Sequence, residues 1–213
     1  MPFDHNDHYH RTVLRHLPPG AERALDVGCG TGAFARRLAA RGLAVDAVDR
    51  AAEPLAAARA AAPPPPAGPR FRQLDLSEHH LPDARYDFIS ALASLHHMPF
   101  ETVSRLRAAL APGGVLVVLG CYPKHTTPDL LWSLAAVPVN AGARLAVAAG
   151  ERLRPGARAP RPVRAPVRQP TVPLPEIRTT AARLLPGCRV RRLLFWRYLL
   201  VYRQPGHAPA GRA

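Results

Sequence analysis

Residues 23–33 read Arg23-Ala24-Leu25-Asp26-Val27-Gly28-Cys29-Gly30-Thr31-Gly32-Ala33. The apolar residues on both sides of Asp26 predict a buried strand, and three alternating glycines predict a sharp turn directly after it. From Ala33 onward, Phe34 and Leu38 lie one helical turn apart, which indicates a helix. A strand, a glycine turn and a helix in this order point backbone N–H groups at a ligand above the strand. The stretch therefore predicts a site for a nucleotide-type cofactor.

The glycine pattern alone is compatible with two kinds of cofactor site. The residues from Gly28 to Ala33 satisfy the G-x-G-x-x-G/A pattern of dinucleotide-binding proteins, and Asp49 lies at about the distance of their ribose-binding acid. Asp26 inside the strand, and Gly32 completing G-x-G-x-G, favour a different cofactor. The glycines alone do not distinguish between the two kinds of cofactor site. The distinction therefore depends on later segments of the chain.

Four later segments follow in a fixed order. They are a second apolar strand pattern ending at Asp49 (43–49), a third containing Asp75 (71–76), a fourth running into His96 and His97 (86–97), and Leu-Ala-Pro-Gly-Gly leading into a fifth (110–119). Together with the glycine turn, these landmarks resemble the class I S-adenosylmethionine-dependent methyltransferases, and within them the small bacterial methyltransferase-11/25-like family. The resemblance covers residues 21–122 closely and the last strands more loosely.

The resemblance implies a cofactor, S-adenosyl-L-methionine, and a set of residues that bind it. Asp26 and the glycine turn are expected to face the methionine moiety, Asp49 the ribose hydroxyls and Asp75 the adenine. The full expected set is Asp26, Gly28, Cys29, Gly30, Gly32, Asp49, Arg50, Asp75, Leu76 and Ala91.

The same resemblance implies an α/β fold with a Rossmann-like, seven-stranded, mostly parallel sheet, helices on both faces and an antiparallel C-terminal strand. Two apolar runs, 188–194 and 197–202, independently predict two closely connected antiparallel strands. Helical patterns cover 9–17, 56–62, 102–110 and 176–185. We expect a single methyltransferase domain over 1–203, with an N-terminal cap (1–20), a variable lid with a Pro- and Arg-rich insertion (123–187), and a disordered tail (204–213).

Several residues are candidates for contact with the methyl acceptor. The resemblance places His96 and His97 where family members meet the acceptor, and a neutral imidazole can act as a general base near pH 7. The alternative is that one of them packs to hold the loop. Tyr9 is predicted near the cofactor's carboxylate or the acceptor, or else simply begins a polar surface helix. Trp132 belongs to an apolar lid over 128–150, which would suit an apolar or aromatic small molecule.

The formal net charge of +14 raises the possibility of nucleic-acid binding. All but one of the 29 basic residues are Arg, and the 25 prolines are consistent with the codon bias of a GC-rich genome. The densest basic run, 152–168, contains no aromatic residue that could stack on a base. The composition therefore argues against a nucleic-acid partner.

The remaining features favour a cytoplasmic enzyme without a metal. The three cysteines form no C-x-x-C pair, and the first residues are too polar for a secretory signal. His8 and His10 are two residues apart and lie on different sides of a helix, so we expect no metal site. Pro138 and Arg144 interrupt the apolar stretch, which argues against a membrane span. A monomer or homodimer is expected.

Three functions remain open from the sequence. The first is methyl transfer to a small-molecule acceptor by in-line displacement. The others are an RNA-modifying methyltransferase and a protein that binds S-adenosylmethionine without catalysis. The acids at 26, 49 and 75 favour an enzyme, because a non-catalytic relative need not keep a complete cofactor site.

Overall fold

Strands and helices alternate along most of the chain. This computed structural model describes residues 5–76, 78–123, 169–194 and 196–206. The helices are α1 (His5–Leu14), α2 (Ala33–Ala39), α3 (Ala52–Ala60), α4 (Thr102–Ala108) and α5 (Leu174–Leu184). The strands are β1 (Arg23–Val27), β2 (Ala44–Asp49), β3 (Arg70–Gln73), β4 (Tyr86–Leu92), β5 (Leu110–Cys121), β6 (Arg189–Leu193) and β7 (Arg197–Arg203).

Within the described ranges, seven strands form one sheet in the order β3-β2-β1-β4-β5-β7-β6. The first five strands of the chain pair in parallel. Strand β7 is inserted antiparallel between β5 and β6, with Cys121 opposite Arg197 and Val115 opposite Arg203. The predicted Rossmann-like sheet with an antiparallel C-terminal strand is confirmed.

Helices cover both faces of the sheet because neighbouring strand residues point to opposite sides. On one face, Leu25 and Val27 of β1 belong to a core with helices α4 and α5. On the other face, Ala24 belongs to a core with Tyr9 and Val13 of α1 and with residues of α2. Strand β5 is buried on both faces, as expected for a central strand of a largely parallel sheet.

The carboxyl ends of the parallel strands lie at one edge of the sheet, hereafter the carboxyl edge. The glycine turn follows β1 there, Asp49 ends β2, and Asp75 lies two residues beyond β3. The loop with His96 and His97 follows β4. Ligands of open α/β sheets bind at this edge, so the fold brings these predicted site residues to the edge at which a ligand would bind.

Some predicted boundaries differ from the observed ones. The third strand ends at Gln73 rather than Leu76, because Leu76 leaves the sheet and turns into the core. Helix α1 ends at Leu14. Beyond it, the amides of His16 and Leu17 bond to the carbonyls three residues earlier, which is the hydrogen-bond pattern of a 3-10 turn. Helix α5 lies in the predicted lid segment, yet its buried residues pack in the core under the sheet.

Gln204, the first residue of the predicted disordered tail, is hydrogen-bonded to the body of the protein. The amide of Gln204 donates to Gly114 O at 2.8 Å, and its carbonyl accepts from Gly113 N at 3.1 Å. These bonds continue the pairing of β7 with the Pro-Gly-Gly turn that opens β5. Trp132, the apolar stretch 128–150 and the basic run 152–168 lie outside the described residues.

Candidate active site

The glycine turn after β1 has a left-handed backbone at each glycine. The φ values are 66° at Gly28, 53° at Gly30 and 73° at Gly32. The amides of Gly28 and Cys29 both donate to Val48 O, at 2.8 and 3.0 Å, which fixes the turn against the end of β2. Side chains with a Cβ rarely adopt this backbone, so the sequence folds this way because the residues are glycines.

The three glycines serve two different purposes. A Cβ on Gly28 would lie 2.2 Å from the Cβ of Ser94, and one on Gly32 would lie 2.6 Å from the ring of Phe71. Gly28 and Gly32 therefore allow the β4 loop and β3 to pack close to the turn. A Cβ on Gly30 would meet nothing within 4 Å. Gly30 leaves open the space in which a ligand would lie.

Asp26 is a buried carboxyl directly beneath the glycine turn. It is only 2% exposed, and Ser90 Oγ donates to its Oδ1 at 2.7 Å. Burial raises the pKa of Asp26 to about 7, and the nearby charge of Asp49 adds to the rise, while the Ser90 hydrogen bond opposes it. A cationic group placed above the turn would stabilise the ionised carboxylate.

Asp49 joins the end of β2 to the glycine turn. Its Oδ2 accepts from Gly30 N at 2.8 Å, and its Oδ1 accepts from Ala51 N at 2.9 Å. The carboxylate therefore orients both the turn and the start of α3. Each oxygen also has further lone pairs that can accept hydrogen bonds from a ligand.

A cleft of about 510 Å³ opens next to Asp49, between the ends of β2 and β3. Its walls are Arg50, Ala51, Gln73, Leu74, Asp75, Glu78 and His79. The main-chain carbonyl of Asp75 accepts from the amides of Glu78 and His79, both at 3.2 Å, which folds the chain into a turn at the cleft. Two predicted contact residues, Arg50 and Asp75, thus lie in one cavity.

The predicted histidines lie on the neighbouring β4 loop. Leu95–His97 form a short 3-10 turn, and the two imidazole rings have centroids 4.1 Å apart. Ser94 Oγ donates to Val27 O at 2.6 Å, which ties this loop to the end of β1. Because Ser94 also packs against Gly28, the histidines begin only two residues from the glycine turn.

The structure gives several predicted site residues a packing role. Ala91 is fully buried in β4 and pairs with β1 and β5, so its side chain lies in the core beneath the edge. Leu76 is also a core residue. Burial raises the pKa of the Cys29 thiol well above its usual range, which disfavours the thiolate that a nucleophilic cysteine requires.

Tyr9 is a buried residue of α1. Its hydroxyl donates to Leu194 O at 3.2 Å, next to the turn between β6 and β7. Burial raises the pKa of Tyr9, and the positive charge of Arg197 opposes this. The alternative that Tyr9 begins a polar surface helix is therefore wrong, because the residue is buried within α1. Its contact with the cofactor or the acceptor stays a prediction.

Sequence reasoning missed Ser90 and Ser94, the two serines that hold Asp26 and the β4 loop. A polar residue inside an otherwise apolar strand was the available signal for Ser90, since a buried hydroxyl requires a partner. For Ser94 the chain gives no comparable signal. Its importance follows from its approach to Gly28.

The whole chain matches known relatives. Over 210 residues, 96% of this chain and 98% of the relative, it is 34% identical to an uncharacterized methyltransferase of Mycobacterium tuberculosis strain H37Rv. The chain belongs to the class I S-adenosylmethionine-dependent methyltransferases. Residues 25–118 of this methyltransferase also match the family model described as a methyltransferase domain.

More distant similarities cover the fold or less than half of the methyltransferase. A solved methyltransferase from Methanosarcina mazei shares the fold, with a TM-score of 0.61, 18% identity, and coverage of 92% of this chain and 98% of that one. The ubiquinone biosynthesis O-methyltransferase of Aeromonas salmonicida is 36% identical over 98 residues, which are 44% of this chain and 40% of that protein.

S-adenosylmethionine is the cofactor of this methyltransferase, and the described residues fit it. Gly30 leaves space above the turn, Asp49 has acceptor capacity at the end of β2, and a separate cleft adjoins it. Buried Asp26 provides a negative charge for a ligand that carries both a sulfonium and an ammonium group. In the part of the chain that the structure describes, no group of three metal-ligating side chains was found. Nor is any described helix long and apolar enough to cross a membrane.

Proposed function

We propose that this methyltransferase transfers the methyl group to a small, apolar or aromatic acceptor by in-line displacement. One observation carries the proposal. The carboxyl edge holds the glycine turn, Asp26 and Asp49 beside a cleft, and it places His96 and His97 on the adjacent loop. The residues that we assign to the cofactor and those that we assign to the acceptor are thus neighbours on one edge.

Bound S-adenosylmethionine supplies a methyl group already activated by its sulfonium. The protein then has to align the two reactants and exclude water, and such alignment can supply most of the rate. We assign Asp26 and the glycine turn to the methionine moiety, Asp49 to the ribose, and Asp75 with Arg50 to the adenine. The tie between Ser94 and Val27 holds the β4 loop in position against them.

We assign His97, with His96 as the alternative, to removal of a proton from the acceptor. This role is needed only when the acceptor loses a proton during attack, as a hydroxyl does. The two rings are in contact with each other, so a change in one will shift the other. Tyr9 and Trp132 remain proposed acceptor contacts, with 123–187 as the proposed lid.

The relatives support a small acceptor over RNA. One relative's name places it in ubiquinone biosynthesis as an O-methyltransferase. The structure of phosphoethanolamine N-methyltransferase 2 from Haemonchus contortus, solved with phosphomonomethylethanolamine and S-adenosylhomocysteine, has a TM-score of 0.50, 25% identity, and coverage of 56% of this chain and 29% of that one. We further propose one domain over 1–203, a monomer or homodimer, and a cytoplasmic location.

The test is methyl transfer to an unknown acceptor. Purified protein is incubated with isotopically labelled S-adenosylmethionine and with a metabolite extract or total RNA, and labelled products are sought by mass spectrometry. We expect label in a small molecule. Label confined to RNA would replace this proposal with RNA modification. Tight binding of S-adenosylhomocysteine without any labelled product would support a non-catalytic role.

A further inference from the structure

The carboxyl edge has opposite charges at its two ends. Its first three strands place Asp26, Asp49 and Asp75 at or near the edge. The strands at the other end, β5, β6 and β7, contain no Asp or Glu, and their register places Arg192 of β6 and Arg197 of β7 near this edge. The acidic end suits the cationic cofactor, so the basic end suits an anion.

One arginine of the basic end lies at the edge itself. Arg197 is the first residue of β7 and pairs with Cys121, the last residue of β5. Its side chain is partly buried. Since Leu199 and Val201 of β7 pack with the core under α1 and α2, the alternation of the strand places Arg197 on that same face.

The guanidinium of Arg197 lacks an anionic partner within the described ranges. Its Nη1 donates to Cys121 Sγ, and its Nε is buried without a hydrogen-bond partner there. No carboxylate of the described residues pairs with it. A partly buried guanidinium is costly without an anionic partner, and a carboxylate is the partner that the remaining N–H groups of its Nη nitrogens match.

We propose that Arg197 binds a carboxylate carried by the methyl acceptor. This inference rests on the proposed function, and it narrows the acceptor class to apolar or aromatic acids. Neighbouring strands lie about 4.8 Å apart, so Arg197 on β7 lies about 10 Å along the edge from the β4 loop. The glycine turn on β1 is one strand further away, at about 14 Å. Arg197 is therefore better placed for the acceptor than for the cofactor's own carboxylate.

The first experiment measures binding without catalysis. The full chain saturated with S-adenosylhomocysteine is titrated by calorimetry with benzoate, 3-phenylpropanoate and decanoate, and with the corresponding neutral amides. We expect at least one acid to bind roughly 10–100-fold more tightly than its amide. This ratio of affinities is the one that a charge-assisted hydrogen bond usually contributes. If no acid binds more tightly than its amide, the proposal is wrong.

Variants then assign the preference to this residue. Arg197→Gln should abolish the preference for acids, and Arg197→Lys should retain part of it. The matched control is Arg203→Gln, on the same strand but at the opposite edge, which should change nothing. Because Arg197 contacts Cys121, thermal unfolding of each variant is measured, and the Lys variant provides the test should Gln unfold the protein.

Two outcomes separate this inference from others. If Arg197→Gln weakens S-adenosylhomocysteine binding as much as acid binding, the guanidinium serves the cofactor and the inference fails. If extracts yield labelled products that are neutral and insensitive to Arg197→Gln, the inference fails while the proposed function stands. The acid titration decides the inference even when no extract yields a labelled product.

Discussion

At the scale of single residues, Asp49 accepts two backbone N–H bonds within the protein. Its carboxylate keeps lone pairs that can accept from the ribose hydroxyls, which is the contact we propose. We predict that Asp49→Ala lowers S-adenosylhomocysteine affinity by about one to two decades, since charge-assisted hydrogen bonds are worth roughly 1.5–3 kcal/mol. Calorimetric titration measures this, with exposed Asp83→Ala as the control. Preferential binding of NADPH by the wild type, or an unchanged affinity in the variant, would contradict the assignment.

Asp26 should make stability depend on pH. Its pKa is raised from 3.8 to about 7 in the folded protein, so its contribution to stability is fully present below about pH 4 and is lost as the pH rises to 7. A pKa unit corresponds to about 1.4 kcal/mol, so the loss is on the order of 4 kcal/mol. The side chain of the Asp26→Asn variant cannot ionise, so the variant does not lose this stability as the pH rises. Its amide oxygen can still accept the hydrogen bond from Ser90. We expect the free energy of unfolding of the variant, relative to wild type, to rise by that amount between pH 4 and pH 8.

Urea unfolding of the ligand-free protein at both pH values checks this prediction. Asp83→Asn, which changes an exposed carboxyl, is the matched control. A difference between wild type and Asp26→Asn that stays constant with pH would mean that the buried carboxylate is already ionised at pH 4.

His97 should be tested for a role in proton removal. If it is the general base, His97→Gln lowers turnover about 10²–10⁴-fold while S-adenosylhomocysteine still binds. The parallel variant His96→Gln identifies which ring faces the acceptor. Near wild-type turnover by both variants, measured with the acceptor found in the extract, would leave the pair a packing role.

At the scale of elements, two glycines allow the effect of a substitution on ligand binding to be distinguished from its effect on backbone conformation. Gly30 and Gly42 both have a positive φ, and a Cβ on either would meet nothing within 4 Å. Either Gly→Ala change should cost about 1–2 kcal/mol of stability from the left-handed backbone. Only Gly30→Ala places a methyl group in the ligand space, so it alone should weaken S-adenosylhomocysteine binding, by at least about tenfold. Thermal unfolding and calorimetry of the pair check this, and equal affinities would place the ligand elsewhere.

At the scale of the whole molecule, the net charge of +14 concerns its partners and not its fold. We predict that the basic run 152–168 is not an RNA site. Replacing its six arginines with Gln should leave S-adenosylhomocysteine binding intact, and any RNA affinity of the wild type should be weak and fall steeply with salt. Filter binding at about 50 and 200 mM salt measures the RNA affinity and its dependence on salt. Calorimetry measures the binding of S-adenosylhomocysteine. Tight, salt-resistant and sequence-selective binding would contradict the prediction.

Much of the fold could be predicted because its signals are local. The glycine turn, the apolar strands and the helical stripe of Phe34 and Leu38 each depend on residues close in sequence. The family resemblance then implied a mostly parallel sheet with an antiparallel C-terminal strand and S-adenosylmethionine as the cofactor, and both are confirmed. The boundaries were less accurate, as at Gln73 and Leu14, because tertiary packing decides where a strand or helix ends.

The sequence by itself determined that an acid lies in or near the end of each of the first three strands and that a glycine turn follows the first. Only the tertiary structure decided how these residues act. Ser90 meets Asp26 across 64 positions of sequence, and Ser94 meets Val27 across 67. Arg197 reaches the edge because β7 is inserted antiparallel beside β5. Pairing of strands that are distant in sequence creates these contacts, and burial in the folded protein raises the pKa of Asp26. Neither can therefore be predicted from a local pattern of residues.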